Sequence, residues 1–254
     1  MNTTEYDAEK IARLSTVGLY LTRYSLIIVV TLGIFGNTLN ILVFRQPKLR
    51  SSPCSFYLMS AAYANLIWII AGPSIRMIST FGLDLSERIS VLCKIRHFII
   101  YALQSLSVMY VALATIDRFL ISSTEVKYRR LSSLQNAHRL TITISIIYCL
   151  IFANMFYCLN VTGTSPLLAC TTTTSRVCGL FNEIARLVLL AFIPSLLILI
   201  FGFGTIQNIK KSRKNAGPQH DIYRKDRQLV RVRIYLNRSI LFYFLNRWSF
   251  VRLC

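Results

Sequence analysis

Cys93 and the triplet Asp117-Arg118-Phe119 are the residues whose types and spacing could do chemistry together. Cys93 carries a thiol that an oxidising compartment would convert to a disulfide, and Asp117-Arg118 sets an acid beside a permanently charged base. Twenty-four positions separate them, and no charged residue lies from Phe98 to Ile116. Wound as a helix at ~1.5 Å per residue, that separation is about 36 Å, a bilayer core with part of each interface. One helix would then hold a cysteine at one membrane face and an ionisable pair at the other. Ionisable groups at the edge of hydrocarbon are costly and usually functional. The plainer account of Asp117-Arg118 is an interfacial ion pair that anchors the helix end.

The elements that must position these residues are apolar helices. Hydrophobic residues make up 54% of the 254 and charged residues 15%, too few charges to solvate a globule of that size. Five charge-free runs reach spanning length: Leu26–Phe44, Phe56–Gly72, Phe98–Ile116, Leu140–Leu159 and Leu187–Ile206. Runs of this length read as membrane helices, because only a helix satisfies its own backbone in lipid. The expected fold is an all-α integral membrane protein. Residues Met1–Leu21 include acids and lack the compact apolar core of a secretory signal, so the first span is expected to act as the insertion signal.

Other classes fit poorly. The histidines His97, His138 and His220 are scattered, and no carboxylate pair or metal-ligand spacing accompanies them, so no enzyme, metal or cofactor is expected. A transporter would place polar groups mid-span; Asn37, Asn65, Gln104 and Asn154 are candidates, but no repeat of short, interrupted helices appears. The net charge of +19 is not organised into a basic stripe interleaved with aromatics, so no nucleic-acid partner is expected.

The cations set the orientation. Seventeen lie on the side that carries Arg45, Lys48, Arg50, Arg118 and the basic run after the fifth span, against nine on the other. The positive-inside rule puts the N-terminus outside and Asp117 inside. The sequons at Asn2 and Asn160 fall on the outer side and are the expected glycosylation sites, although a third, at Asn237, falls on the inner side. Cys93, Cys170 and Cys178 are also outer residues, where a disulfide is permitted. Cys170 is the expected partner of Cys93 and Cys178 the alternative, because Cys178 stands close to the fifth helix. Cys149 and Cys158 lie within the fourth run and read as small buried apolar residues, and Cys54 is juxtamembrane.

With those positions in place, the chain resembles the rhodopsin-like G-protein-coupled receptors. Gly36-Asn37 and the stretch Asn37–Phe44 (NTLNILVF) match the family's first span. Cys93 through Asp117-Arg118-Phe119 matches its third span, with phenylalanine for the usual tyrosine. Pro194 matches its fifth-span proline, and Lys210-Lys211-Ser212-Arg213 its usual exit into the third cytoplasmic loop. The likeness covers about residues 25–231. It implies a seven-span receptor bundle in the plasma membrane that senses an extracellular ligand and signals to a heterotrimeric G protein. It also implies that Asp117 holds Arg118 at rest and that movement of a sixth helix frees Arg118. Asp226, in the basic stretch where that helix would begin, is a candidate second partner, with a solvated loop acid as the plainer account.

The departures narrow the expectation. Asn65 stands where the family has a sodium-binding aspartate, while Ser107 of the same site is kept, so the sodium site is expected to be weak or lost. The fourth-span tryptophan is missing. Ile100 stands where amine receptors carry an aspartate, which disfavours a charged amine and favours a peptide-like ligand. Beyond Arg233 the chain has only the short apolar stretch Ile240–Leu245, flanked by Arg238 and Arg247, each costing about 2.5–3.5 kcal/mol near a helix centre. The family's sixth- and seventh-span motifs are absent. The expected organisation is an outer segment 1–25, a partial receptor bundle of five spans over 26–209, and a basic cytoplasmic segment 210–254 in place of spans six and seven. The alternative function is a truncated, non-signalling membrane partner of full-length receptors.

Overall fold

The computed structural model describes residues 3–81, 89–162, 169–172 and 176–215. Among them, five helices are long and apolar enough to cross a membrane: Arg13–Phe44, Pro53–Ser79, Ser90–Ser122, Leu134–Cys158 and Arg176–Ser212. They are called here the first to fifth spans. The chain divides into two compact units, Met1–Asn208 and Ile209–Cys254. The first holds the bundle. Of the second, residues 209–215 are described, as the end of the last helix.

The helices overrun the charge-free runs at almost every end, because a polar residue ends a run without ending a helix. The first helix begins at Thr3, so residues 3–25, expected as a segment ahead of the bundle, continue the first span as one helix. Its start at Thr3 leaves Asn2 outside the described residues. The expected segment 210–254 lies mostly outside them too.

Prolines shape two spans. Pro73 sits inside a π-helical turn, Ile70–Ser74, in the second span. Pro194 follows a π-helical turn, Leu187–Phe192, in the fifth. Proline lacks an N–H and disrupts the helical ladder on its N-terminal side. In both spans a neighbouring helix supplies a donor to a carbonyl near the break. Arg96 Nε of the third span donates to the Ala71 carbonyl at 3.1 Å, and the Tyr148 hydroxyl of the fourth donates to the Leu189 carbonyl at 3.4 Å. In each span the π-helical turn beside the proline is thus held to a neighbouring helix by a side-chain hydrogen bond.

The third span is the axis of the bundle. Its Ala102, Ser105, Ser107, Ala112 and Ala114 are buried, as are Ala61, Ala62 and Ala64 of the second span. Small side chains let two helices approach closely where no hydrophobic force drives association in lipid. Gly33 of the first span has the same use: a Cβ there would come within 2.7 Å of Ile69 Cδ1. Gly36, next to Asn37, faces open space by the same test. The first and fifth spans leave large apolar side chains such as Leu32, Phe35, Leu199 and Phe203 exposed, the surface a bilayer would cover.

At the Cys93 end, two short antiparallel strands interrupt the otherwise mostly helical described residues. β1 (Leu159–Thr162) pairs with β2 (Ala169–Thr172), with Val161 opposite Cys170.

Candidate functional site

The expected site residues fall into three layers along the third span. At the lowest, Asp117 is buried, with 4% of its surface exposed. It forms no direct ion pair with Arg118, although the two charges interact electrostatically. Consecutive residues on a helix diverge by about 100°, and Asp117 Oδ1 instead accepts a hydrogen bond from the Ser132 hydroxyl at 2.5 Å. Ser132 caps the C-terminal end of a short helix, Val126–Leu131, in the connection between the third and fourth spans. The Cys54 backbone, at the start of the second span, lies near the carboxylate, whose buried Oδ2 makes no hydrogen bond among the described residues. Asp117 thus ties the third span to the loop that follows it, in addition to its electrostatic interaction with Arg118.

Phe119 turns toward the fifth span. Its ring makes an edge-on contact with Phe201, centroids 5.3 Å apart, and lies where a Cβ on Gly204 would be, 2.8 Å from Cε2. Asn208 Nδ2 donates to Ser122 Oγ at 3.3 Å one turn further on. Gly204 is therefore the residue that lets the fifth span approach the Arg118 end of the third. Gly204→Val should force the ring to shift and cost about 1–3 kcal/mol, as overpacking does. The check is the thermal midpoint in detergent, with Gly202→Ala, whose Cβ would meet nothing within 4 Å, as a control that should be no less stable than the unmodified chain.

In the middle layer the structure brings Asn37, Asn65 and Ser107 together. Asn37 Nδ2 donates to the Gly33 carbonyl at 2.8 Å, Asn65 Nδ2 to Asn37 Oδ1 at 3.3 Å, and the Ser107 hydroxyl to Asn65 Oδ1 at 2.5 Å. Three spans are joined by a neutral chain in which each acceptor has a donor. A carboxylate at position 65 could not donate to Asn37, so the amide suits this arrangement.

At the Cys93 end, Cys93 is bonded to Cys170 with Cα atoms 5.9 Å apart, and Cys158 to Cys178 at 5.8 Å. Cys178, the alternative partner for Cys93, is thereby engaged elsewhere. Cys158 is buried as expected, but it is disulfide-bonded rather than a plain apolar residue. It is the last residue of the fourth span, where it meets Cys178 in the first turn of the helix Arg176–Arg186. Together the two bonds tie β2 to the third span and join the fourth span to the fifth. His97 Nδ1 lies 2.9 Å from the Cys93 carbonyl and 3.4 Å from Cys170 Sγ. Both sulfurs of this group are spent in the disulfide, so it offers no thiolate to a metal. Asn160 is exposed on β1, with its Oδ1 hydrogen-bonded to the Ser90 hydroxyl and the Val161 amide. Ile100 packs beside Gly72 of the second span.

Sequence reasoning missed a polar group here. The Tyr101 hydroxyl donates to Glu183 Oε1 at 3.4 Å, Arg186 lies over the Tyr101 ring at 5.5 Å, and Glu183 and Arg186 form an ion pair. Both charged residues precede the charge-free run that marked the fifth span, so they read as loop. Their spacing of three on a helix was the available signal.

With the geometry established, two comparisons bear on the chain. The family model described as 7 transmembrane receptor (rhodopsin family) matches residues 36–247, beyond the Arg231 limit of the sequence likeness. Among curated proteins, the chain is similar to the neuromedin U receptor homolog nmur-2 of Caenorhabditis elegans, 27% identical over 162 residues, 58% of this chain and 40% of that protein. The chain therefore aligns with less than half of that relative's length.

Proposed function

We infer the function from one premise: the chain belongs to the rhodopsin family of seven-transmembrane receptors. It is a multi-pass membrane protein and a receptor rather than an enzyme. In this reading it lies in the plasma membrane with the N-terminus and the Cys93 end outside. It takes an extracellular ligand and passes the signal to a heterotrimeric G protein at the Asp117-Arg118-Phe119 end. The observation that carries the reading is the third span, which holds a disulfide to β2 at one end and a buried acid beside an arginine at the other.

Signalling of this kind needs two arrangements of the bundle that ligand and G protein both prefer differently. Asp117, Ser132 and the Phe119–Gly204 contact are the parts of this chain placed to distinguish them, because they join the Arg118 end to neighbouring elements. The sodium site is lost in this account, since the Asn37–Asn65–Ser107 chain has no formal charge. The ligand is a peptide. The supports are Ile100 in place of an amine-binding acid, the mixed charge of Glu183 and Arg186 at the outer end, and the relative named for neuromedin U.

The test is binding at intact cells with neuromedin U as the probe peptide and epitope tags reporting which face is exposed. An N-terminal tag stained without permeabilisation, together with saturable peptide binding, is the expected result. An N-terminal tag visible only after permeabilisation would overturn the orientation. Binding no greater than in untransfected cells would overturn the assignment of this peptide class.

A further inference from the structure

We propose that Ser132 is a phosphorylation site for a serine kinase that reads paired arginines, and that its phosphate breaks the contact holding Asp117. The proposal rests on the inward placement of this loop in the reading above.

Four observations converge on Ser132. First, it follows Arg129-Arg130-Leu131, so two guanidinium groups stand three and two residues ahead of the hydroxyl. A kinase with carboxylates lining its substrate groove would pair with both in bidentate fashion. Second, Arg129, Arg130 and Leu131 are exposed, and Ser132 stands on the wall of an open cavity of about 450 Å³ that it shares with Pro53, Ile121, Val126, Arg129 and Arg130. Third, the backbone suits an extended substrate groove. Ser132 and Ser133 are outside helical geometry, and the helix ahead of them has only six residues, Val126–Leu131. A helix that short is marginal on its own and opens at little cost. Fourth, the hydroxyl is not idle, because it donates to Asp117.

The step balances without any further reactant than ATP. Ser132 Oγ bonds to the γ-phosphorus as the bond from that phosphorus to the β–γ bridging oxygen breaks. ADP leaves, and the hydroxyl proton passes to the kinase's base. The product changes the site in two ways. Oγ no longer has a proton to give Asp117, and a phosphate carrying roughly −1.5 to −2 charge faces a carboxylate across the former hydrogen bond. Repulsion turns the phosphoserine away from Asp117 toward Arg129 and Arg130, which line the same cavity. The loop is then released from the third span.

The experiment uses the purified full chain in detergent, where both faces are open, with the catalytic subunit of a cyclic-AMP-dependent kinase, ATP and peptide mapping by mass spectrometry. Phosphate at Ser132 is expected, absent in Ser132→Ala and reduced about ten-fold or more when Arg129→Gln and Arg130→Gln are combined, a change equal to 1.4 kcal/mol of lost recognition. No phosphate at Ser132, or equal incorporation without the arginines, would overturn the site. Hydrogen exchange then tests the consequence: phosphorylation should speed exchange across residues 126–136, leave β1 and β2 unchanged, and have a smaller effect in Asp117→Asn. Identical exchange with and without phosphate would overturn the release of Asp117. These results do not depend on orientation, which the epitope tags test separately.

Discussion

Replacing Cys93 with serine should destabilise the folded chain by about 2–5 kcal/mol and sharply lower the amount that reaches the cell surface. The bond to Cys170 joins residues 77 apart in sequence, so its loss restores a large amount of freedom to the unfolded chain. Cys158 and Cys178 are only 20 apart. In the loop-entropy account Cys158→Ser should cost about 1 kcal/mol less than Cys93→Ser. Thermal unfolding in detergent, run on both variants under oxidising conditions, measures that order. A Cys93→Ser midpoint equal to the unmodified chain would mean that β2 and its connections hold their place without the tether.

The second large effect is at Arg118. It is half-buried at the end of the third span, and Asp117 beside it is occupied by Ser132. The two charges still interact electrostatically, but no ion pair between them is formed, and in the proposed reading the guanidinium is the group that meets the G protein. Arg118→Ala removes a permanent charge with five donors and no substitute within the triplet. Coupling to a G protein should fall about ten-fold or more, the change produced by losing one charge-assisted contact. Stability should change little, because no packed core residue is removed.

Much of this molecule could be read from its residues, and the exceptions have physical causes. The five spans follow from charge-free runs, since a bilayer selects for continuous apolar length. Their true ends do not, because Thr3–Arg23 and Arg176–Arg186 carry polar residues yet remain helical. The group of Asn37, Asn65 and Ser107 came from the resemblance, and their hydrogen bonds join three spans. Cys158 is buried as its place in an apolar run implies, but its bond to Cys178 was missed because cysteine scores as apolar within such a run. Ser132 was invisible for a different reason. Its contact with Asp117 depends on how a loop folds back on the third span, which no local pattern records. Gly204 is similar, since a glycine's use appears only when the ring it admits is seen.

The central claim is that this chain is a receptor coupled to a G protein through the Arg118 end. Its most direct test is guanine-nucleotide exchange by a purified heterotrimeric G protein, with the chain in nanodiscs and neuromedin U as the probe peptide. Peptide-dependent exchange above empty nanodiscs, largely lost in Arg118→Ala, is the predicted result. Exchange indistinguishable from empty nanodiscs, or a response that Arg118→Ala leaves intact, would contradict it.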